Sequence, residues 1–256
     1  MKNKNYKAIV YSGAWMLLIM FLLVSMGFIN NSRKNAKCTA LSIKINNEEG
    51  NYFVDEDDIR DFVYEDNGDP IGQVLSEIDF EYLESEIEKL PQVRNAEVFA
   101  DLNGILKIDV QQRIPIARVF FSEGKSSYLD ENGNLMPTSP KFASRVIVVN
   151  GKVPSAKVEN LLEDPAWLNV YRLVETIRND EFLNAQFEQI YINSQLEYEL
   201  TPRVGRHSIL LGKGEDFEMK FEKLKLFYKE GISKVDWNKY KQIDLRFSDQ
   251  IVCSKR

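Results

Sequence analysis

The sequence predicts an α+β protein that follows an apolar N-terminal helix, and three observations indicate this. Residues 8–29, twenty-two in all, carry no charged side chain. As an α-helix they would rise about 33 Å, which is enough to cross a hydrocarbon core of roughly 30 Å. Farther along the chain, short segments in which apolar and polar residues alternate predict strands. Segments between them repeat apolar residues every three or four positions, which is typical of amphipathic helices.

The apolar segment is interpreted as a retained membrane anchor rather than as a cleaved signal peptide. The apolar core of a signal peptide is usually about 7–15 residues long and precedes a small-x-small site. This run is longer, and no such site follows it. Three basic residues stand on each side of the run, so charge does not fix its orientation. Because large domains translocate largely regardless of charge, we expect residues 1–7 in the cytoplasm and the bulk of the chain outside.

Charge and cysteine usage limit the partners of the region after the apolar segment. The first 37 residues hold six basic and no acidic residues, which leaves 27 basic against 39 acidic residues, a net charge of −12. Nucleic acid and anionic lipid are therefore poor partners for this region. Cys38 and Cys253 lie near its opposite ends. Two cysteines do not resemble a disulfide scaffold, and a bond between these two is not expected.

The search for catalytic, metal and cofactor motifs favours a protein without enzymatic activity. His207 is the only histidine, which removes His-pair metal sites and the usual base of a catalytic triad. We expect it to be a partly exposed strand residue. The segment Leu211–Gly214 lacks the spacing of a phosphate-binding loop. The acidic run Asp55–Asp58 lacks the spacing of a calcium loop and is better explained as the start of a helix. We predict no catalytic, cofactor-binding or metal-binding residues and no small-molecule substrate.

The region from Thr39 to Phe121 predicts a small unit in the order β–α–α–β–β, with both helices on one face of the sheet. Asp55 is the predicted N-cap of the first helix, and the second helix begins near Asp79 and ends before Pro91. The region after Phe121 predicts a mixed β domain with flanking helices. Its strands and helices are predicted at Ser127–Pro137, Arg145–Gly151, Pro165–Ile177, Gln189–Asn193, Leu196–Leu200, Ser208–Gly212, residues 215–230 and Gln242–Phe247.

Four segments of this chain, taken in order and spacing, resemble a known family. They are Ile87–Val98, Leu106–Val119, Tyr128–Pro137, and the pair formed by Leu210–Glu215 and Gln242–Phe247. The family is FtsQ/DivIB, a group of bacterial cell-division proteins. The resemblance implies a cytoplasmic tail (1–7), a transmembrane helix (8–29), a juxtamembrane linker (30–38), a POTRA domain (39–121) and a mixed β domain (122–256).

The resemblance also implies a function and a site. The family is a non-enzymatic, single-span scaffold of the cytoplasmic (inner) membrane at the division septum, and it binds FtsB/FtsL-type (DivIC) bitopic proteins. In the family the partner adds a strand to the last strand of the β domain, which corresponds here to Gln242–Phe247 with the tail Ser248–Val252. The expected partner-binding residues are Arg246, Phe247, Asp249, Gln250, Ile251 and Val252. Leu41–Ile45 and Glu81–Glu88 are weaker candidates for recruitment.

Three alternatives stay open at this point. A POTRA-containing envelope export or assembly factor would normally carry tandem POTRA units or a long barrel-forming C-terminus. A membrane-anchored hydrolase would need a nucleophile and a base. A sensory domain of a receptor would need a cytoplasmic region to pass on the signal, and we expect no cytoplasmic region to follow.

Overall fold

The computed structural model describes residues 15–21, 35–47, 50–156, 160–214, 216–231 and 237–256. Residues 15–21 form a helix, α1. Of the helices in these described ranges, none combines the length and the apolar character needed to cross a membrane. The remainder of the predicted transmembrane helix, residues 8–14 and 22–29, lies outside the described residues. The chain divides into two compact units, Met1–Asn46 with Val54–Gln111, and Asn47–Phe53 with Gln112–Arg256.

The first unit has the predicted order β–α–α–β–β. Its three strands form a sheet in the order β1-β3-β2, in which β1 runs parallel to β3. Four buried helix residues, Ile59, Val63, Leu83 and Ile87, belong to the core of this unit. The elements are β1 (Ala40–Asn46), α2 (Glu56–Asn67), α3 (Phe80–Ile87), β2 (Val93–Ala100) and β3 (Ile105–Gln112).

Helices α2 and α3 begin at the aspartates that the sequence indicated. The side chain of Asp55 accepts a hydrogen bond from the backbone N–H of Asp58 at 3.0 Å, and Asp58 reciprocates by accepting from Asp55 at 3.1 Å. Asp79 accepts from the N–H of Tyr82 at 3.0 Å. These bonds satisfy N–H groups that the first turn of a helix leaves unpaired. The acidic run at the start of α2 is therefore explained by capping.

The second unit is built on a mixed sheet in the order β12-β11-β10-β9-β8-β7-β4-β5-β6. Its helices and strands share one apolar core, in which Trp167, Leu173 and Phe221 are buried against strand residues such as Ile190 and Leu200. The elements are β4 (Pro115–Phe120), β5 (Ser126–Asp130), β6 (Leu135–Pro137), β7 (Ile147–Gly151), α4 (Pro165–Arg178), α5 (Glu181–Gln186), β8 (Phe187–Ile192), β9 (Tyr198–Pro202), β10 (Ser208–Gly212), α6 (Phe217–Glu230), β11 (Tyr240–Asp244) and β12 (Val252–Lys255).

The division between the units differs from the predicted boundary after Phe121. Strand β4 was expected to end the first domain, but it is hydrogen bonded between β5 and β7 in the larger sheet. Its residues Ile116, Ala117 and Val119 are buried in the core of the second unit. Alternation in a sequence predicts a strand but does not say which sheet will hold it, and this explains the error.

Candidate functional site

Strand β12 forms one edge of the larger sheet, and its outer side pairs with no strand in the described part of the chain. It runs antiparallel to β11, with Cys253 opposite Ile243. The N–H of Arg256 donates to the carbonyl of Lys239 at 3.3 Å, so Arg256 directs its backbone groups toward β11. Alternate residues of a strand direct these groups to opposite sides. The N–H and C=O groups of Cys253 and Lys255 therefore point to the open side of the sheet.

This arrangement corrects the predicted docking strand. The segment Gln242–Phe247 was expected to be the last strand, but β11 ends at Asp244 and lies between β10 and β12. Of the predicted partner-binding residues, only Val252 lies in the edge strand. The other five, Arg246, Phe247, Asp249, Gln250 and Ile251, lie in the connection between β11 and β12. Strand β12 was not predicted, because four residues are too few to show a periodic pattern.

Arg246 is engaged inside its own unit. Its Nη2 donates to Asp244 Oδ2 at 2.7 Å, its Nε donates to Asp244 Oδ1 at 3.0 Å, and its Nη1 donates to Glu197 Oε1 at 3.2 Å. Burial raises the pKa of Asp244, but the hydrogen bonds from Arg246 outweigh it and hold that pKa below its ordinary value. The hydrogen bonds to Asp244 and Glu197 raise the pKa of Arg246. Arg246 thus ties the β11–β12 connection to the hairpin of β8 and β9.

A glycine makes room for this arginine. Gly212 has a φ of +83°, in the left-handed region that favours glycine. A Cβ atom placed on it would lie 2.8 Å from Cγ of Arg246. Both the backbone conformation and the space therefore require glycine at the end of β10.

The same connection is tied to α6 on its other side, next to an apolar groove. Lys223 Nζ donates to the carbonyls of Phe247 at 2.9 Å and Ser248 at 2.8 Å. The groove has a volume of about 410 Å³. Leu226, which is 62% exposed, lines it together with Ile251. The full lining is Lys223, Leu226, Phe227, Glu230, Gly231, Asp249, Gln250 and Ile251.

Three predicted partner-binding residues, Asp249, Gln250 and Ile251, line this groove. Phe247 is 45% exposed beside it, and Ile251 directly precedes the edge strand. The groove and the open side of β12 are therefore consecutive along the chain.

His207 is buried, which corrects the expectation of a partly exposed residue. Only 3% of its surface is accessible, and its Nε2 lies 2.8 Å from the hydroxyl of Tyr228 on α6. Trp237 stacks on Tyr228 with ring centroids 5.5 Å apart. Burial lowers the pKa of His207, and the positive charge of Arg256 lowers it further. The histidine is thus part of the packing between β10 and α6.

In the first unit, α3 closes one edge of the small sheet. The carboxylate of Glu84 accepts from the N–H of Val98 at 2.7 Å, and that of Glu88 accepts from the N–H of Ala96 at 3.1 Å. Both N–H groups belong to the edge strand β2. The candidate segment Glu81–Glu88 therefore uses two of its carboxylates internally. The other candidate, Leu41–Ile45, lies in β1 at the opposite edge.

Within the described residues, no cluster of His, Cys, Asp and Glu could hold a metal ion. Cys38 and Cys253 are both free thiols. The candidate site is thus defined by an open strand and its flanking connection.

The comparisons with known proteins match parts of both units. Residues 36–111 match the model of a POTRA-like domain. Residues 114–254, more than half of the chain, match the family model described as FtsQ/DivIB, C-terminal related. The chain is also 27% identical over 187 residues to "Cell division protein FtsQ" of Rhodothermus marinus, an alignment that covers 71% of this chain and 67% of that protein.

The chain belongs to the FtsQ/DivIB family. This confirms the resemblance that its four sequence segments carry, and it points to a role in cell division.

Proposed function

We propose that this chain is a non-enzymatic scaffold of the bacterial division machinery that binds its partner by strand addition at β12. In this proposal residues 8–29 anchor it in the cytoplasmic (inner) membrane at the septum, and the two units lie outside the cytoplasm. The observation that carries the proposal is the open side of β12, where the backbone groups of Cys253 and Lys255 have no strand to pair with among the described residues. Such an edge accepts an extended peptide through main-chain hydrogen bonds.

The two edges of the larger sheet are not equivalent as docking sites. At the opposite edge, β6 is three residues long and ends at Pro137, which has no N–H to donate. Next to β6, the hydroxyl of Tyr128 on β5 accepts a bond from the N–H of Ser144, in the segment that leads from β6 to β7. At the β12 edge the adjacent connection presents the exposed Phe247 and the half-buried Ile251 instead. The contrast favours β12 as the recognition edge.

The proposed partner is a bitopic division protein of the FtsB/FtsL (DivIC) type. Its added strand would take main-chain bonds from β12, while its side chains would contact Phe247, Ile251 and Val252. Asp249 and Gln250 would bind polar groups at the rim of the groove. Arg246, whose donors are largely occupied inside the unit, would act by positioning the connection.

The experiment replaces the outward-pointing N–H of Cys253. Cys253→Pro removes this donor without removing a bond between β12 and β11, because proline is tolerated where its N–H would face solvent at an edge. Loss of one such bond is expected to weaken binding by about tenfold. The matched control is Cys253→Ala, which keeps the N–H. Binding is measured by pull-down of the FtsB/FtsL-type protein with the full chain in detergent.

Equal binding by Cys253→Pro and Cys253→Ala would contradict strand addition at this edge. In dividing cells, a fluorescent fusion of the chain is expected at mid-cell. A uniform membrane signal would contradict the division role itself.

A further inference from the structure

Five basic residues gather at the C-terminal end of the open edge. The backbone of Arg256 bonds to Lys239, its guanidinium donates to the carbonyl of Arg206, and Lys255 stands opposite Tyr240 in the sheet. All five basic side chains are exposed. We name them the basic end; its members are Arg206, Lys239, Lys241, Lys255 and Arg256.

The charge of the basic end is not neutralised within the described part of the chain. No carboxylate among the described residues forms an ion pair with any of the five members of the basic end. At the other end of the connection, by contrast, Arg246 is paired with Asp244 and Glu197. The region after residue 37 has a net charge of −12, so this local cluster of positive charge is opposite in sign to the region as a whole.

We infer that the basic end selects a partner segment that carries acidic residues at the end of its strand lying beside Lys255. This inference rests on the proposed strand addition at β12. Main-chain pairing alone is indifferent to sequence, so side chains must supply the selection. Lys255 itself lies in the pairing strand, and Lys241 lies in the adjacent strand. Carboxylates on an added strand would meet them at the rim of the interface, where opposite charges speed association and exclude wrong partners.

A different reading treats these residues only as protection. Charged side chains on an edge strand prevent unwanted pairing between copies. Protection needs charge of either sign, whereas selection of an acidic partner needs positive charge. Reversing the charge therefore separates the two readings, because a protected edge stays protected when lysine becomes glutamate.

The experiment uses the full chain in its own cells, with a photo-crosslinking amino acid in place of Val252. The captured protein is identified and its crosslinked peptide is sequenced. The test variant is Lys241→Glu/Lys255→Glu. The matched control is Lys152→Glu, which reverses an exposed lysine just after β7 in the interior of the same sheet. Thermal unfolding of each variant checks that the fold is retained.

We expect the double reversal to reduce capture by about tenfold and the control to leave it unchanged. The captured peptide should carry acidic residues on the side of Lys255, and exchanging these for lysine should restore capture by the double variant. Full capture by the double variant, or a captured peptide without such acidic residues, would overturn this inference alone. Absence of any captured protein from the unsubstituted edge would overturn the proposed function together with it.

Discussion

Replacing Arg246 by alanine is expected to lower the free energy of unfolding of the second unit by about 2 kcal/mol. The side chain of Asp244 is nearly buried and receives most of its hydrogen bonds from Arg246. A buried acceptor that loses its partner costs roughly 1–3 kcal/mol. The contact with Glu197 adds little, because Arg246 is 42% exposed and solvent screens that pair. The backbone N–H of residue 246 still donates to Asp244 after the substitution.

The assay is thermal and urea unfolding followed by tryptophan fluorescence. Of the three tryptophans, Trp167 and Trp237 lie in the second unit, and none lies between residues 35 and 111. For a unit of this size, about 2 kcal/mol corresponds to a decrease in Tm of roughly 4–8 °C. The control is Arg172→Ala, which removes an exposed arginine from α4.

The effect should depend on pH in a defined direction. The pKa of Asp244 is lowered in the folded protein, so its stabilising contribution is present above about pH 4 and is lost as pH falls through the folded value. The difference between the Arg246→Ala variant and the unsubstituted chain should therefore shrink in acid. A loss no larger than that of Arg172→Ala at pH 7, or a difference that does not shrink as the pH is lowered below about 4, would refute the reasoning.

A double-mutant cycle with Gly212→Ala gives an independent check. The added Cβ would lie 2.8 Å from Arg246 Cγ, so part of the expected damage is a clash with that side chain. Gly212→Ala should therefore destabilise the Arg246→Ala background by less than it destabilises the unsubstituted chain. Strict additivity would show that the two residues do not interact as the structure describes.

Three further predictions concern other parts of the molecule. Because burial lowers the pKa of His207, the chain should lose stability as pH falls below about 6.5, and His207→Gln should flatten this dependence in unfolding measured at pH 7.5 and 5.5. Glu84→Ala should speed hydrogen exchange at the Val98 amide, whereas Glu84→Gln, which keeps an acceptor, should not. Lys223→Met removes the donor to the Phe247 carbonyl and should weaken partner binding, while the global stability changes by less than about 1 kcal/mol; unchanged binding would contradict a positioning role for this lysine.

The parts of the fold that were predictable depend on short-range interactions. Asp55 and Asp79 cap their helices through bonds that span three residues, and such bonds leave a signal in the local sequence. The order β–α–α–β–β followed from apolar spacing in the same way. The family resemblance added a POTRA domain followed by a β-rich domain, and the matches to the two family models support this pair.

The parts that were not predictable depend on side-chain contacts that the spacing of apolar residues does not show. His207 is buried where Tyr228, 21 residues away, packs against it and forms a hydrogen bond with it. Strand β11 was expected to continue through Phe247, but it ends at Asp244. The side chain of Asp244 binds the backbone N–H and the guanidinium of Arg246 instead, which draws the chain into a connection. Nothing in the alternation of apolar residues reveals such a contact.

Side chains from neighbouring helices bind to the edge strand β2 itself, whereas near β12 they bind to the connection that precedes the strand. At β2, the carboxylate of Glu84 accepts from an N–H of the strand itself, and the edge is thereby occupied. Near β12, Lys223 donates to the carbonyls of Phe247 and Ser248 in the preceding connection. It does not bond to the backbone groups of β12 itself. Arg246 holds the same connection from the side of Glu197. A connection fixed at two points loses little further freedom when a partner binds, and pre-ordering of this kind raises affinity without any added contact. Removing the bonds of either Lys223 or Arg246 should therefore weaken binding, even when every residue that touches the partner is intact.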